Sequence, residues 1–269
     1  MSGGESWRWD AAEYARSSAA QQGWARELIG KLRLTGSETV LDIGCGDGKV
    51  TAEIARLLPR GRGVGIDSSS DMVRMARDVF PPSAVPNLSF QIADARALTF
   101  EGEFDVAFSN AVLHWVKDHS PVLAGVARAL RDGGRILFQM GGRGNGADIF
   151  AVADDMTTDA AWAGFFTGFD FPWGFYGPEE YARWCADAGL HARRIELLPR
   201  PMKQKGIEGL AGWIRTTWMP YTARLPEDRR EEFIREAAER FVARHALDAE
   251  GNATVGMVRL EIEAEKTAR

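Results

Sequence analysis

The sequence predicts an α/β fold, a doubly wound and mostly parallel seven-stranded sheet, from three observations. Five short apolar segments alternate with segments of helical periodicity over the first 140 residues, which is typical of parallel strands joined by helices. The first apolar segment runs into a glycine loop that opens a helix. Asp67, Asp94 and Asn110 stand where three further strands end. Because ligands bind at the carboxyl ends of such strands, we expect these side chains to share one cleft.

The first strand and the loop after it form the segment around which the fold is organised. The apolar residues of 40–43 predict a buried strand, and Gly44, Gly46 and Gly48 follow it directly. Glycine lets the backbone turn tightly and approach a ligand, toward which the first amides of the next helix point. The spacing differs from the G-x-G-x-x-G of dinucleotide-binding loops, and an acidic residue, Asp42, stands two positions before the first glycine.

The other core elements follow in order. Strand two is predicted over 63–66, strand three over 88–93, strand four over 104–108 and strand five over 135–140. After strand two, the serines at 68–70 offer an N-cap to a helix that carries Met72.

Beyond residue 141 the pattern is looser. Residues 162–176 are dense in aromatics, a helix is predicted over 178–188, and strands are predicted over 192–198 and 255–265. The last strand is expected to form an antiparallel pair at the edge of the sheet. We therefore divide the chain into a core with an N-terminal cap helix (1–205), a helical lid inserted before the last strand (206–247), and that strand (248–269). The lid is expected to cover the carboxyl ends of the strands.

Composition excludes several classes of function. The 269 residues are 45% hydrophobic, enough for one full core. The net charge of −5 leaves no basic surplus for a phosphate backbone, so nucleic acid is not an expected partner. Two cysteines and four scattered histidines favour neither a disulfide framework nor a metal site. The sequence has no signal peptide and no apolar run of membrane-spanning length, so we expect a cytoplasmic protein with no membrane partner.

The Asp-x-Gly-x-Gly-x-Gly pattern of residues 42–48 resembles motif I of the class I S-adenosylmethionine (SAM) methyltransferases, which share a Rossmann-like fold. The resemblance implies SAM as cofactor, S-adenosylhomocysteine as product, and the amino-acid half of SAM packed against the glycine loop. It also implies that Asp67 accepts hydrogen bonds from the ribose, and that Asp94 and the adjacent backbone contact adenine. The predicted cofactor site comprises Tyr14, Asp42, Gly44, Cys45, Gly46, Gly48, Asp67, Ser68, Met72, Asp94, Ala95 and Asn110.

Further residues narrow the resemblance to one group. Tyr14 and Gln21 lie seven positions apart, two helical turns, so their side chains can point to one side. With residues 42–48 and the Leu-His-Trp-Val of 113–116, this pair resembles the small-molecule methyltransferases that esterify carboxylic acids, acting on trans-aconitate, malonyl-acyl-carrier protein or juvenile hormone acid. Residues 10–140 carry the resemblance. It implies a small-molecule or acyl-chain carboxylic acid as the methyl acceptor.

The chemistry of that reaction asks little of the protein. A carboxylate is already an anion at pH 7, so its methylation needs no general base. The enzyme has to hold the carboxylate oxygen in line with the methyl group and exclude water. Gln21 and Trp115 carry neutral donors suited to this task, and with His114 they form the predicted catalytic set.

Two alternatives remain open at this point. One is a SAM enzyme that methylates an O, N or C nucleophile of a natural product with His114 as base. The other is a SAM-binding scaffold without turnover. The sequence leaves open whether the protein is a monomer or a homodimer.

Overall fold

The computed structural model describes residues 19–267, with side chains from residue 25 onward. The chain forms two compact units. Within the described range, the sheet unit consists of residues 19–143, 173–198 and 259–267, and the helical unit consists of residues 144–172 and 199–258. In residues 19–267, no helix is both long and apolar enough to cross a membrane.

A seven-stranded sheet forms the centre of the sheet unit. Its strands are β1 (Thr39–Ile43), β2 (Arg62–Asp67), β3 (Leu88–Ile92), β4 (Phe104–Asn110), β5 (Leu130–Gly141), β6 (Leu190–Pro199) and β9 (Val258–Lys266). Their order in the sheet is β3-β2-β1-β4-β5-β9-β6. The first five pair in parallel, and β9 runs antiparallel to β5. The predicted doubly wound, mostly parallel, seven-stranded sheet is therefore confirmed, with β9 and β6 at the predicted edge.

Helices cover both faces of this sheet. They are α1 (Ala19–Lys31), α2 (Lys49–Arg56), α3 (Ser70–Val79), α4 (Ser120–Ala129) and α6 (Pro178–Asp187). All five residues of β1 are buried, as expected for a central parallel strand with helices on both sides. Leu28 and Leu32 of α1 pack with Val40 and Phe108 on one face, whereas Leu41 belongs to the core cluster that contains much of α4.

The register of the sheet brings the ends of its strands together. Ile43, the last residue of β1, pairs with Ile66 of β2, and Asn110, the last residue of β4, pairs with Gln139 of β5. The Ser109 hydroxyl donates to the Ile43 carbonyl at 2.9 Å. The segments that leave β1, β2 and β4 therefore start from the same side of the sheet, at the carboxyl ends of the strands, as the sequence predicts.

The helical unit contains four helices and a two-stranded antiparallel ribbon. Its elements are α5 (Ala147–Thr158), β7 (Met202–Lys205), α7 (Gly206–Thr217), α8 (Met219–Thr222), α9 (Glu227–Arg244) and β8 (Asn252–Val255). Aromatic contacts hold the unit together. Phe150 stacks on Trp218 with ring centroids 5.5 Å apart, and Trp162 meets Phe233 edge to face at 5.2 Å. Such pairs add to the hydrophobic stabilisation of a core.

The structure divides the chain differently from the predicted 1–205, 206–247 and 248–269. Helices do occupy 206–244, but they belong to a unit that also contains residues 144–172 and the ribbon. Val255 pairs with Met202 in that ribbon, and the last strand of the sheet begins only at Val258. The reason is a tight turn in which the Met257 amide donates to the Val255 carbonyl at 2.9 Å, interrupting the extended run. The covering role of 206–247 stays a prediction.

Candidate active site

The loop after β1 consists of residues that turn the chain sharply into α2. Gly44, Gly46 and Gly48 all have positive φ, at 76°, 53° and 80°. This is the left-handed region that glycine adopts without strain. The Gly44 and Cys45 amides both donate to the Ile66 carbonyl, at 2.7 and 2.9 Å. The loop is thus fixed to the end of β2.

The three glycines have different surroundings. A Cβ on Gly44 would lie 2.3 Å from Val112, and one on Gly48 would lie 2.6 Å from Phe90. Among the described residues, a Cβ on Gly46 would meet no heavy atom within 4 Å. Gly44 and Gly48 are therefore required by protein packing, whereas Gly46 borders open space.

Asp67, the last residue of β2, reaches across to this loop. One carboxylate oxygen accepts from the Gly46 amide at 3.0 Å, and the other accepts from the Ser69 amide at 2.9 Å. Burial raises the pKa of Asp67 above its ordinary value, and the amide donors act in the opposite direction. A partly buried carboxylate held by backbone donors beside open space is suited to bind ligand hydroxyls.

The chain leaves β4 through an unusual turn. Ala111 has φ 58°, a conformation uncommon for a residue other than glycine. Its amide donates to the Gln139 carbonyl at 2.8 Å. The turn leads into the contact between Val112 and Gly44, so the segment after β4 lies directly against the glycine loop.

A buried histidine holds the next residues in place. Nε2 of His119 lies 2.8 Å from both the Leu113 and Val116 carbonyls, and Nδ1 lies 2.6 Å from the Tyr181 hydroxyl. Since carbonyl oxygens only accept hydrogen bonds, Nε2 carries the ring proton. His119 therefore fixes the single helical turn that presents His114 and Trp115.

His114 is a neutral side chain in this environment. Its Nδ1 accepts from the Gly141 amide at 3.4 Å, so the neutral ring carries its proton on Nε2 and can donate from there. Burial lowers the pKa of His114 to about 3, and the positive charge of Arg259 acts in the same direction. The ring of the adjacent Trp115 meets Trp173 edge to face, with centroids 5.4 Å apart.

Comparisons with known proteins agree with this geometry. Residues 40–134 match a family model described as a methyltransferase domain. The chain is 31% identical over 230 residues to a trans-aconitate 2-methyltransferase of Azoarcus sp. strain BH72, covering 84% of this chain and 86% of the relative. It is 32% identical over 226 residues to the trans-aconitate 2-methyltransferase of Deinococcus radiodurans, covering 81% and 83%.

The chain belongs to the class I SAM-dependent methyltransferases.

Solved structures share the fold of this methyltransferase at low sequence identity. The YcgJ protein of Bacillus subtilis superposes with a TM-score of 0.62 at 18% identity, covering 92% of this chain and all of that one. A geranyl diphosphate C-methyltransferase of Streptomyces coelicolor A3(2), solved with S-adenosylhomocysteine, gives 0.56 at 16% identity, covering 91% and 77%. Together, the family model and the two relatives confirm the resemblance seen in the sequence, and with it the enzyme class and SAM as cofactor.

The residues of this methyltransferase fit that cofactor. Gly46 leaves space that a Cβ would fill, and the adjacent Asp67 offers carboxylate oxygens for ribose hydroxyls. The first amides of α2 follow Gly48 and suit the carboxylate of the amino-acid half of SAM. The structure brings five of the predicted residues together at the carboxyl ends of the parallel strands: Gly44, Gly46, Gly48, Asp67 and Asn110.

Two of the predicted cofactor residues direct their side chains into the protein. The Asp42 carboxylate is buried and accepts from the Thr51 hydroxyl of α2 at 2.7 Å. Burial raises the pKa of Asp42 to about 7, and the charge of Asp67 adds to the effect. The Cys45 side chain is buried in the cluster that contains Phe90, and its pKa is also raised. Asp42 and Cys45 are thus placed to support the loop from beneath.

The predicted residues after β2 and β3 lie in two short turns. Ser69, next to the predicted Ser68, caps α3 by accepting from the Met72 amide at 3.3 Å. Ser68 is exposed and Met72 is buried. The Asp94 carboxylate accepts from the guanidinium of Arg96, with the shortest distance 2.6 Å, and this contact lowers the pKa of Asp94. Ala95 packs against the main core cluster.

Two predicted residues come from the N-terminal segment. Tyr14 lies outside the described residues. Gln21 lies in the first helical turn of α1, and its side chain is likewise outside the described part of the chain.

Sequence reasoning missed two residues near the site. His119 was grouped with the scattered histidines, although its position five residues after His114 at the start of a helix is a usable signal. Arg259 lies in an alternating strand pattern, where an arginine is normally taken as solvent-facing. In the structure it is only 7% exposed and its charge acts on His114.

Proposed function

We propose that this methyltransferase transfers the methyl group of SAM to a carboxylate of a small molecule and produces a methyl ester. The observation that carries the proposal is the state of His114. A side chain with a pKa of about 3 is a poor proton acceptor at neutral pH. The site is therefore suited to an acceptor that needs no deprotonation, and a carboxylate is such an acceptor.

When bound, SAM would supply a methyl group on a sulfonium sulfur. A carboxylate oxygen could accept this group without losing a proton, and the electrons of the S–CH3 bond would remain on sulfur. The protein then has to position the acceptor against the methyl group and to exclude water. Asp67 would hold the ribose, and Gly46 would leave room for the amino-acid half.

Neutral donors orient the acceptor in this proposal. The indole N–H of Trp115, the side-chain amide of Gln21 and the Nε2–H of His114 each hold a carboxylate oxygen without neutralising it. A cationic side chain paired with the attacking oxygen would reduce the nucleophilicity of that oxygen. Neutral donors orient it with a smaller loss. Tyr14 assists by closing the N-terminal segment over SAM.

Relatives support a carboxylate acceptor. Two proteins about one-third identical over most of their length are named trans-aconitate 2-methyltransferases, and trans-aconitate is a tricarboxylate. The alternative of a natural-product methyltransferase with His114 as base is less well supported, because that base is too weak. The role of residues 206–247 as a lid over the acceptor remains a prediction.

The test is incubation with methyl-labelled SAM and a panel of carboxylic acids that includes trans-aconitate. We expect label to enter an organic-soluble product and to be released by mild alkali, as methyl esters are. Matched phenols and amines serve as controls. Label that is stable to alkali, or found only with the phenols or amines, would contradict the proposal.

A further inference from the structure

Trp173 lies against the segment that carries two of the predicted catalytic residues. Its ring meets the ring of Trp115 edge to face, with centroids 5.4 Å apart and planes inclined by 61°. It is also parallel to the ring of Phe175, with centroids 6.2 Å apart. The Phe175 ring in turn lies 6.0 Å from the ring of His114. A pair of aromatic residues from a distant part of the chain thus lies beside both His114 and Trp115.

Hydrogen bonds fasten the segment that begins at Trp173 to the turn after β4. Both segments belong to the sheet unit. The Gly174 amide donates to the His114 carbonyl at 2.8 Å, and the Tyr176 hydroxyl donates to the Lys117 carbonyl. The approach is so close that a Cβ on Gly174 would lie 2.6 Å from a backbone carbonyl oxygen of the turn. The position of Trp173 relative to the turn is therefore fixed by the backbone on both sides of the contact.

The direction of the Trp115 indole N–H depends on contacts from outside its own turn. Trp115 is the last residue of a helical turn of only three residues (Leu113–Trp115), and its side chain rotates about two bonds. Trp115 is half-buried, whereas Trp173 is only 7% exposed. Edge-to-face contacts between rings have a preferred geometry. The buried ring of Trp173 therefore restricts the orientation of Trp115 and leaves part of the Trp115 ring accessible.

We propose that Trp173 is a positioning residue for methyl transfer, which holds the Trp115 ring so that its indole N–H faces the acceptor carboxylate. This inference rests on the proposed function of the same site. Trp173 is buried and acts through Trp115 rather than on the acceptor. The attacking oxygen has to lie in line with the methyl group, and a donor that turns away no longer keeps it there. Loss of Trp173 should therefore slow the chemical step more than it weakens binding of the acceptor.

The test is a double-mutant cycle that combines Trp173→Leu with Trp115→Phe, and Trp173→Phe is the conservative variant. Turnover is measured with labelled SAM and the acid of the panel that takes most label, and kcat and KM are determined separately. Mobility of the Trp115 ring is measured from the 1H–15N nuclear Overhauser effect of its indole N–H in protein saturated with S-adenosylhomocysteine. The Trp115 signal is the one that is missing in Trp115→Phe.

Phe100→Leu is the matched control, because it also removes one ring of an edge-to-face pair. The Phe100 and Phe104 rings have centroids 5.1 Å apart, and Phe104 is the first residue of β4, at the opposite end of that strand from the site. Phe100→Leu should lower the melting temperature, as loss of ring packing does. It should leave kcat within about 3-fold of the wild type, because distant sites act independently.

Trp173→Leu should lower kcat about 10- to 100-fold, as displacement of a positioned group does, while KM changes less than about 3-fold. In the Trp115→Phe background the same substitution should lower kcat less than about 3-fold, because the N–H that Trp173 positions is already absent. The Overhauser effect of the Trp115 indole should fall in Trp173→Leu. Trp173→Phe keeps a ring and should restore most of the rate and of the Overhauser effect. An unchanged affinity for S-adenosylhomocysteine establishes that Trp173→Leu is folded, and Trp173→Met replaces it if that affinity is lost.

Other outcomes separate the two proposals. If Trp173→Leu lowers kcat by the same factor in both backgrounds, or if the Trp115 indole stays as rigid as in the wild type, Trp173 does not act through Trp115. The inference is then overturned while ester formation stands. If only phenols or amines take label, the proposed function fails, and the same cycle with that acceptor decides the inference. If nothing takes label, the proposed function fails and the mobility of the Trp115 indole alone decides the inference.

Discussion

The Asp67 carboxylate accepts a hydrogen bond from the Gly46 amide at 3.0 Å. This contact joins the end of β2 to the middle of the glycine loop and helps to hold the loop in its bent conformation.

Asp67→Ala should weaken SAM binding about 10- to 100-fold, because a charged hydrogen-bonding group to the ribose is lost. Calorimetry with SAM measures the effect. The control is Asp71→Ala, which removes an exposed carboxylate paired with Arg74 and should leave the affinity intact. Normal SAM affinity in a folded Asp67→Ala protein would remove Asp67 from the site.

Gly46→Val and Gly48→Val form a matched pair within the loop. Both place a branched residue at positive φ, which costs about 1–3 kcal/mol. The Cβ of Gly46→Val should meet no atom of the part of the chain that the structure describes but should occupy ligand space, so SAM binding suffers most. Gly48→Val should also clash with Phe90 and lower the melting temperature more. Thermal melting measures the loss of stability in each variant, and titration with SAM measures the loss of affinity. Equal effects of the two variants on both measurements would mean that Gly46 is only a turn residue.

Gln21→Ala and Trp115→Phe should each reduce kcat/KM for an acid substrate by roughly 10- to 1000-fold, as loss of one positioning donor does. SAM affinity should remain nearly unchanged, because neither residue is assigned to the cofactor. Steady-state kinetics and SAM calorimetry on the same samples provide the comparison. A large loss of SAM affinity in either variant would assign that residue to the cofactor instead.

His114→Gln should retain activity within about 10-fold, because glutamine keeps a neutral donor, and His114→Ala should lose more. The wild-type rate should be flat from about pH 6 to 8, since His114 with a pKa of about 3 stays neutral and a carboxylic acid stays ionised over that range. Rate profiles of the three proteins test this. If the wild-type rate instead rises with pH around 6.5 and this rise is absent in His114→Gln, His114 acts as a base. That result would favour a nucleophile that has to lose a proton.

Asp42→Asn should stabilise the protein at high pH. The pKa of Asp42 is raised from 3.8 to about 7 in the folded state, so between these values the folded state binds more protons than the unfolded state. Wild-type stability therefore falls, relative to the variant, as pH rises from about 4 to 7, by on the order of 3 kcal/mol, and the difference is constant above pH 8. Denaturant unfolding of both proteins at pH 4.5 and 8 measures it. If the difference in free energy of unfolding between the two proteins does not change with pH, Asp42 has an ordinary pKa in the folded state.

The order of the strands and the meeting of their carboxyl ends could be predicted because they depend on local patterns. Apolar runs, glycine positions and acidic residues at strand ends are properties of short segments. Gly44, Asp67 and Asn110 accordingly lie together at the carboxyl ends of the parallel strands, as the sequence predicts.

Features that depend on distant parts of the chain were not predictable. The low pKa of His114 results from burial and from Arg259, which is remote in sequence. The inward orientation of the Asp42 carboxylate depends on Thr51 of the next helix. The start of the last strand was placed three residues early, because the alternation of 255–262 continues across the turn at Gly256 and Met257.

The place of β9 between β5 and β6 has a consequence for synthesis on the ribosome. β6 ends at Pro199, yet its neighbour in the sheet is β9, which is made about 60 residues later. β5 ends at Gly141 and β9 begins at Val258, so at elongation rates of about 5–20 residues per second β5 keeps an unpaired edge for roughly 6–25 seconds. Such an edge is a template for pairing with other chains. We therefore expect the nascent chain to be most prone to aggregation during that interval.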